Sequence, residues 1–206
     1  MSGLFVTFEG GDASGKTTQI GLLADWLKAE GKTVLVTREP GGSELGNELR
    51  DIVLHRRGFI APRAEALIYA ADRAHHIHEV VRPALARGEV VLQDRYLDSS
   101  VAYQGAGRVL DPAEVKDVSV WATEGLMPDV TILLDVPADI GLQRQASEER
   151  AYDRLEAEAL DFHERVRESY LAIAREDPER VAVIDGTASV DDVHQAVLQK
   201  VSQALD

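Results

Sequence analysis

Five short apolar runs recur along the chain: Leu4–Glu9, Thr33–Arg38, Glu89–Asp94, Val130–Val136 and Val181–Asp185. Each is short and rich in Val, Leu or Ile, as expected of strands covered on both faces. Between them the apolar residues change to helical spacing. Ile20, Leu23, Ala24 and Leu27 mark one helix. A long pattern from Ala61 to Arg87 carries a stripe of Leu67, Ala70, Ala71, Ala74, Ile77, Val81 and Leu85. Further helices are predicted from about Asp111 to Gly125, from Leu155 to Glu176 and from Val190 to Leu205. Alternating strands and helices predict an α/β fold: a five-stranded parallel sheet with helices on both faces. Such sheets bind ligands beyond the carboxyl ends of their strands, so chemistry is expected just after each apolar run.

The chain has 206 residues, a size that suits a single domain over 1–206. A formal net charge of −14 argues against a nucleic-acid or anionic-membrane surface. Cys is absent, which excludes disulfides and a thiolate nucleophile. The chain enters its first strand without a basic-then-apolar leader, and no apolar run approaches the roughly 18–20 residues of a membrane span. A cytoplasmic location is the expectation.

The first strand leads into Glu9-Gly10-Gly11-Asp12-Ala13-Ser14-Gly15-Lys16-Thr17-Thr18. Gly10, Gly15, Lys16 and Thr17 fit the phosphate-loop spacing of Gly, four residues, Gly-Lys-Ser/Thr. The glycines let backbone N–H groups turn inward on a phosphate chain, and the following helix adds positive charge from its N-terminus. Lys16 is expected to reach the β- and γ-phosphates and Thr17 to ligate Mg²⁺. The plainer reading, a Gly-rich turn into a helix, does not account for all four fixed positions.

The other strand ends carry matching chemistry. Arg38-Glu39-Pro40-Gly41-Gly42 forms a sharp turn after the second strand, and Glu39–Pro40 is a candidate cis peptide. The third strand ends in Asp94-Arg95-Tyr96, where an Asp after apolar residues helps hold Mg²⁺. A motor ATPase places a carboxylate after that Asp, and this chain has Arg95. A GTPase needs Asn-Lys-x-Asp, and the lone Asn47 precedes Glu48. Arg95 instead points to a second anion beside the nucleotide. Asp98-Ser99-Ser100 reads as a capped helix start, with Tyr103 and Gln104 one turn on. Tyr69 and Arg73, at i and i+4, share a helix face that suits one heterocycle. His75, His76 and His78 point different ways on a helix and make a poor metal site. From Arg144 to about Glu158 the chain turns polar and mixed in charge, with Arg150 and Arg154; both a solvated helix and a mobile lid fit that composition.

These motifs together resemble the bacterial type of thymidylate kinase over nearly the full length. The resemblance rests on Phe8-Glu9-Gly10-Gly11-Asp12 through Thr18, Thr37 to Gly42, Tyr69-Ala70-Ala71-Asp72-Arg73, Asp94 to Gln104, and Asp153-Arg154. It implies a fold of the phosphate-loop nucleoside monophosphate kinase type. It implies transfer of the γ-phosphoryl of ATP to dTMP with Mg²⁺, held by Thr17 and Asp94. It also implies residue roles. ATP is held by Gly10 to Thr18, with Arg144, Gly186 and Ala188 near the adenine. Asp12 accepts from the 3′-OH of dTMP, Tyr69 stacks on thymine, Arg73 donates to its O4, and Ser99, Ser100 and Gln104 line the base. Tyr103 walls off C2′, Glu39 and Pro40 border the site, and Arg38 and Arg95 clamp the phosphate. Some relatives carry a basic residue where this chain has Ala13, so Arg150 and Arg154 of the lid, about 144–158, are expected to supply that charge. Relatives are usually homodimers, and the helices containing Trp121 and Ala61–Arg87 are the expected contact. Another nucleoside monophosphate or deoxynucleoside kinase is the alternative enzyme reading, and a regulatory nucleotide-binding module the alternative outside catalysis.

Overall fold

The computed structural model describes residues 3–56, 58–147 and 153–205. The strands are β1 (Leu4–Glu9), β2 (Val34–Arg38), β3 (Val90–Asp94), β4 (Val130–Asp135) and β5 (Val181–Asp185). They form one parallel sheet in the order β2-β3-β1-β4-β5, with β1 at the centre. Each lies within a residue of the apolar run that predicted it.

Alternation along the strands divides the core. Val6 and Phe8 of β1 face α1 (Lys16–Ala29) and α9 (Val190–Leu205), where Leu23, Leu27, Val197 and Val201 are fully buried. Each such side chain contributes about 1.5–3 kcal/mol by leaving water. On the opposite face the contacts are partly polar. Thr7 and Thr131 hydrogen-bond at 2.8 Å, and Glu9 is buried completely. That face is covered by α8 (Leu160–Glu176) and the segment 77–86, while α3 (Pro62–His76) and α6 (Pro112–Ala122) pack on Val101–Gly107; the aromatic rings of Tyr103, Phe162 and Tyr170 pack edge to face.

Three expectations need correction. The segment from Ala61 to Arg87 is helical throughout, as α3, a π-helical turn at Ile77–Val81 and α4 (Arg82–Ala86). Its buried residues in α3 include the expected Ala70 but are otherwise Glu65, Tyr69, Asp72, Arg73 and His76, while Leu67 is 58% exposed. The period was legible, but the inward face is polar because a site lies beneath it. Second, α5 (Leu97–Ser100) is not capped by Asp98; Tyr96 holds the N-cap position without a side-chain cap bond, and Asp98 pairs with Arg180 at 2.6 Å. The cap comes from β1: Glu9 accepts from the Tyr96 N–H at 2.7 Å and the Ser99 N–H at 3.3 Å. Third, α2 (Glu44–His55) was not read as an element, although Ser43 gave the signal by capping the Gly46 N–H at 3.0 Å. A second π-helical stretch, Val101–Gly107, carries Tyr103 and Gln104. Such widened turns often aim side chains at a site.

Candidate active site

Strand register brings the chemistry together. Phe8 pairs with Asp94 on one side and Ile132 on the other, so the loop after β1 and the end of β3 lie side by side. Gly10 and Gly15 take φ of 133° and 95°, and a Cβ on Gly10 would sit 2.5 Å from the Leu134 carbonyl oxygen. Only glycine fits there. Ala13 also has positive φ, 54°, so the loop holds a strained non-glycine residue at the position that lacks a basic side chain.

Lys16 reaches back over this loop. Its Nζ donates to the carbonyls of Gly10 (3.2 Å) and Gly11 (2.8 Å) and to Ser14 Oγ (3.3 Å). Burial, and then the Arg95 charge, push its ammonium down to about 8. Thr17 and Asp94 border one groove, and Asp94 Oδ1 is buried with no hydrogen-bond partner among the described residues. An orphaned carboxylate oxygen near a hydroxyl suits a hard cation that takes its remaining ligands from phosphate and water. Arg38 is exposed and borders the same groove.

Arg95 closes the other side. It adopts φ 65° and donates to the Gly10 carbonyl at 3.1 Å and to Asp12 Oδ1 at 2.5 Å. Burial by itself raises a carboxyl, yet the charges of Arg95 and then Lys16 hold Asp12 below its usual range. Tyr103 Oη donates to Asp12 Oδ2 at 3.1 Å. The turn that carries Arg95 is anchored by Glu9, which also accepts from Ser99 Oγ (2.6 Å) and Tyr170 Oη (2.9 Å). Burial, then the nearby Asp98 charge, push Glu9 up to about 7.

A cavity of about 130 Å³ opens beside this turn, and every residue placed above on the dTMP side except Arg38 borders it. Arg73 is fully buried and donates to Glu39 Oε2 (2.7 Å), Ser119 Oγ (3.1 Å), the Tyr96 carbonyl (3.0 Å) and Ser100 Oγ (3.1 Å). Glu39 is held in turn by His76 Nδ1 at 3.0 Å, whose other ring nitrogen meets Thr37 Oγ1 at 2.7 Å. His76 is thus a structural partner of Glu39, and among the described residues no group of three His, Asp or Glu is poised for a metal. The Glu39–Pro40 peptide is cis. Asp72, beside this network, accepts from the Gly41 N–H at 3.2 Å; burial and then the Glu39 charge raise it to about 6.

Sequence reasoning missed Arg50, which borders the cavity from α2 and donates to the Pro40 carbonyl at 2.9 Å. Burial, then the Arg38 charge, push its guanidinium down, so two cations approach one another at this end. It was invisible because α2 was. Arg144 donates through both terminal nitrogens to the Gly186 carbonyl at 3.1 Å and spans toward Ala13, while Ala188 is exposed beyond it. Arg154 sits away from the phosphate loop, donating to the Val53 carbonyl at 3.0 Å and to Glu65. Arg150 lies outside the described residues.

The arrangement is a polyphosphate cradle with a second cavity, of mixed polar and apolar lining, joined to it through the Asp12–Arg95 pair. Comparison with known proteins identifies the family. The family model described as thymidylate kinase matches residues 8–197. The chain is 64% identical over 185 residues to the thymidylate kinase of Clavibacter sepedonicus, covering 90% of this chain and 88% of that one. It is 63% identical over 191 residues to that of Leifsonia xyli subsp. xyli, covering 93% and 90%. The crystal structure of thymidylate kinase from Ehrlichia chaffeensis aligns with a TM-score of 0.79 at 30% identity, over 98% of this chain and 99% of that chain. A phosphate loop, an Asp-Arg-Tyr turn and a buried arginine in a base-sized cavity, set in this sheet order and matched over nearly every residue, place the chain in the thymidylate kinase family.

Proposed function

We propose that this chain transfers the γ-phosphoryl group of ATP to the phosphate of dTMP along the line joining the Gly10–Thr17 loop to the Arg73 cavity. The observation that carries this reading is the Arg95 guanidinium. It bonds both the phosphate loop, through Gly10, and Asp12 at the cavity mouth, so it stands where two phosphates would meet. A dTMP phosphate oxygen attacks the γ-phosphorus, the bond to the β–γ bridging oxygen breaks, and ADP leaves with the electron pair. The acceptor, with a second pKa of about 6, is mostly dianionic at neutral pH, so no general base is needed.

The main obstacle is charge. Two unit charges about 4 Å apart repel by about 4 kcal/mol at an effective dielectric near 20. Lys16, Arg38, Arg50 and Arg95 offset this from fixed positions. Thr17 and Asp94 would hold Mg²⁺, which when bound neutralises phosphate charge. Arg150 and Arg154 supply the cation absent at Ala13; Arg154 must leave Glu65 to do so. Tyr69 stacks on the base, Arg73 donates to its O4, and Ser99, Ser100 and Gln104 complete the edge. Cytosine has an amino donor where thymine has O4, which would set donor against the buried Arg73. Tyr103 sits at the ribose. Arg144 with the Gly186–Ala188 turn flanks the adenine. We further propose a cytoplasmic homodimer formed through α3 and α6, where Trp121 is 82% exposed and shares a groove with Ala71, Ala74 and His75. No helix among the described residues is long and apolar enough to cross a membrane.

The test is ADP release from ATP with Mg²⁺ against dTMP, dUMP, CMP, AMP and thymidine. The dTMP rate is expected to lead, and Lys16→Ala to lower it by about two orders of magnitude or more. ADP formed with thymidine but not with dTMP would overturn the reading.

A further inference from the structure

Glu65 belongs to no role described so far, yet its side chain is fully buried one turn before Tyr69 on α3. Three groups from other elements converge on it. Gln104 Nε2 donates to Oε1 at 2.9 Å, Arg108 Nε donates to Oε1 at 3.3 Å, and Arg154 donates to Oε2. A carboxylate between two guanidiniums only accepts hydrogen bonds. The Gln104 amide therefore has to turn its NH₂ toward Glu65, because its carbonyl there would set acceptor against acceptor.

The other end of the amide follows from this. Gln104 Oε1 takes no hydrogen bond from any described residue, and Gln104 borders the cavity. An acceptor is thus committed to the cavity wall. Arg73 borders the same cavity and spends four bonds on Glu39, Ser119, Tyr96 and Ser100. A guanidinium has five N–H groups, so one remains. Donor and acceptor together match the O4 and N3–H of a thymine. They mismatch the 4-amino group and bare N3 of a cytosine at both places.

We propose that Glu65 is a specificity-determining positioning residue: by accepting from Gln104 Nε2 it locks the amide so that oxygen, not nitrogen, meets N3 of the pyrimidine. This rests on the reading that Gln104 meets the base edge. Glu65 touches no substrate itself. Without it the amide is free to rotate and present either end, and the wall loses its sign. Arg73 alone then carries the discrimination.

The probe pair is dTMP and 5-methyl-dCMP, which have the same shape and differ only at positions 3 and 4. The readout is the ratio of their kcat/KM values in wild type, Gln104→Ala, Glu65→Gln and Arg154→Ala. General loosening lowers both substrates alike and leaves the ratio intact. Glu65→Gln, which offers either a donor or an acceptor to Gln104, is expected to lower the ratio by about tenfold. Gln104→Ala should lower it comparably. Arg154→Ala keeps the amide lock and should leave the ratio unchanged; a fall equal to that of Glu65→Gln would assign the effect to the lid contact and overturn the proposal. A fall in Gln104→Ala with an intact ratio in Glu65→Gln overturns the role of Glu65 alone. An intact ratio in Gln104→Ala removes the base-edge reading, and this proposal with it. Should Glu65→Gln not fold, a crystal structure of the wild-type dTMP complex decides. Gln104 still bonded to Glu65, with its other end on N3, supports the lock; an amide swung off Glu65 excludes it.

Discussion

Glu9 is a carboxylate with no cation bonded to it among the described residues, buried at the centre of the sheet's active edge. Its partners are neutral: two backbone N–H groups and the hydroxyls of Ser99 and Tyr170. Burial favours the protonated form, which raises Glu9 from 4.5 to about 7. A carboxyl whose pKa is higher in the folded chain contributes stability that is complete below 4.5 and is lost as pH rises through about 7. Glu9→Gln removes this dependence. We expect the melting temperature of the variant to gain on wild type by roughly 5 °C between pH 5 and pH 8. Parallel melting curves at both pH values would show that Glu9 stays ionised throughout. Nothing in the sequence marked Glu9 as a cap for a helix some ninety residues away (Ser99 is 90 positions on). The partner is distant in the chain and is found only once β1 and β3 pair.

At the scale of elements, α3 carries two faces with different tasks. Its buried residues include Tyr69 and Arg73, proposed to meet the base, together with Glu65, Asp72 and His76. Hydrophobic periodicity picked out Ala70, Ile77 and Val81, which are buried, but also Leu67, which is exposed, because the rule assumes that only apolar residues point inward and here polar ones line a cavity. The polar residues keep the same helical period, which is the signal a reader has available. The lid is the other element with a testable role. Arg154 is tied to Glu65 and the Val53 carbonyl, and Arg108 joins Glu65 to Glu158 at 2.5 Å. A contact formed mainly in the closed transition state appears in kcat more than in binding. Arg154→Ala is expected to cut turnover by about a hundredfold while dTMP affinity moves by less than about threefold. Unchanged turnover would place the catalytic cation elsewhere.

At the scale of the molecule, the acidic chain still gathers cations at one place. A net charge of −14 coexists with Lys16, Arg50, Arg73 and Arg95 gathered around the phosphate loop and its adjoining cavity. Asp12, Glu39, Asp153 and Glu156 line the same cavity, and Arg73 and Arg95 are paired with Glu39 and Asp12. Among the exposed apolar residues, Leu67 at 58% and Trp121 at 82% lie on α3 and α6. A stable dimer buries roughly 1,600 Å² in total with aromatic residues near its centre. Trp121→Glu is expected to sediment as a monomer at micromolar concentration where wild type sediments as a dimer. A wild-type monomer under those conditions would remove the dimer from the reading.

The local pattern was enough to locate the strands, the phosphate loop and the residues that follow each strand, because strand length, glycine spacing and helical period are set by neighbours within a few positions. Parallel pairing then carried those strand-end residues to one edge. Which face of α3 turns inward, which residue caps α5, and that Arg50 joins the cavity were decided only in the folded chain. Each depends on contacts between elements far apart in sequence, such as Glu9 with Tyr96 and Glu65 with Arg154. The energy of such contacts exists only when both partners are held in place, and no run of neighbouring residues contains it.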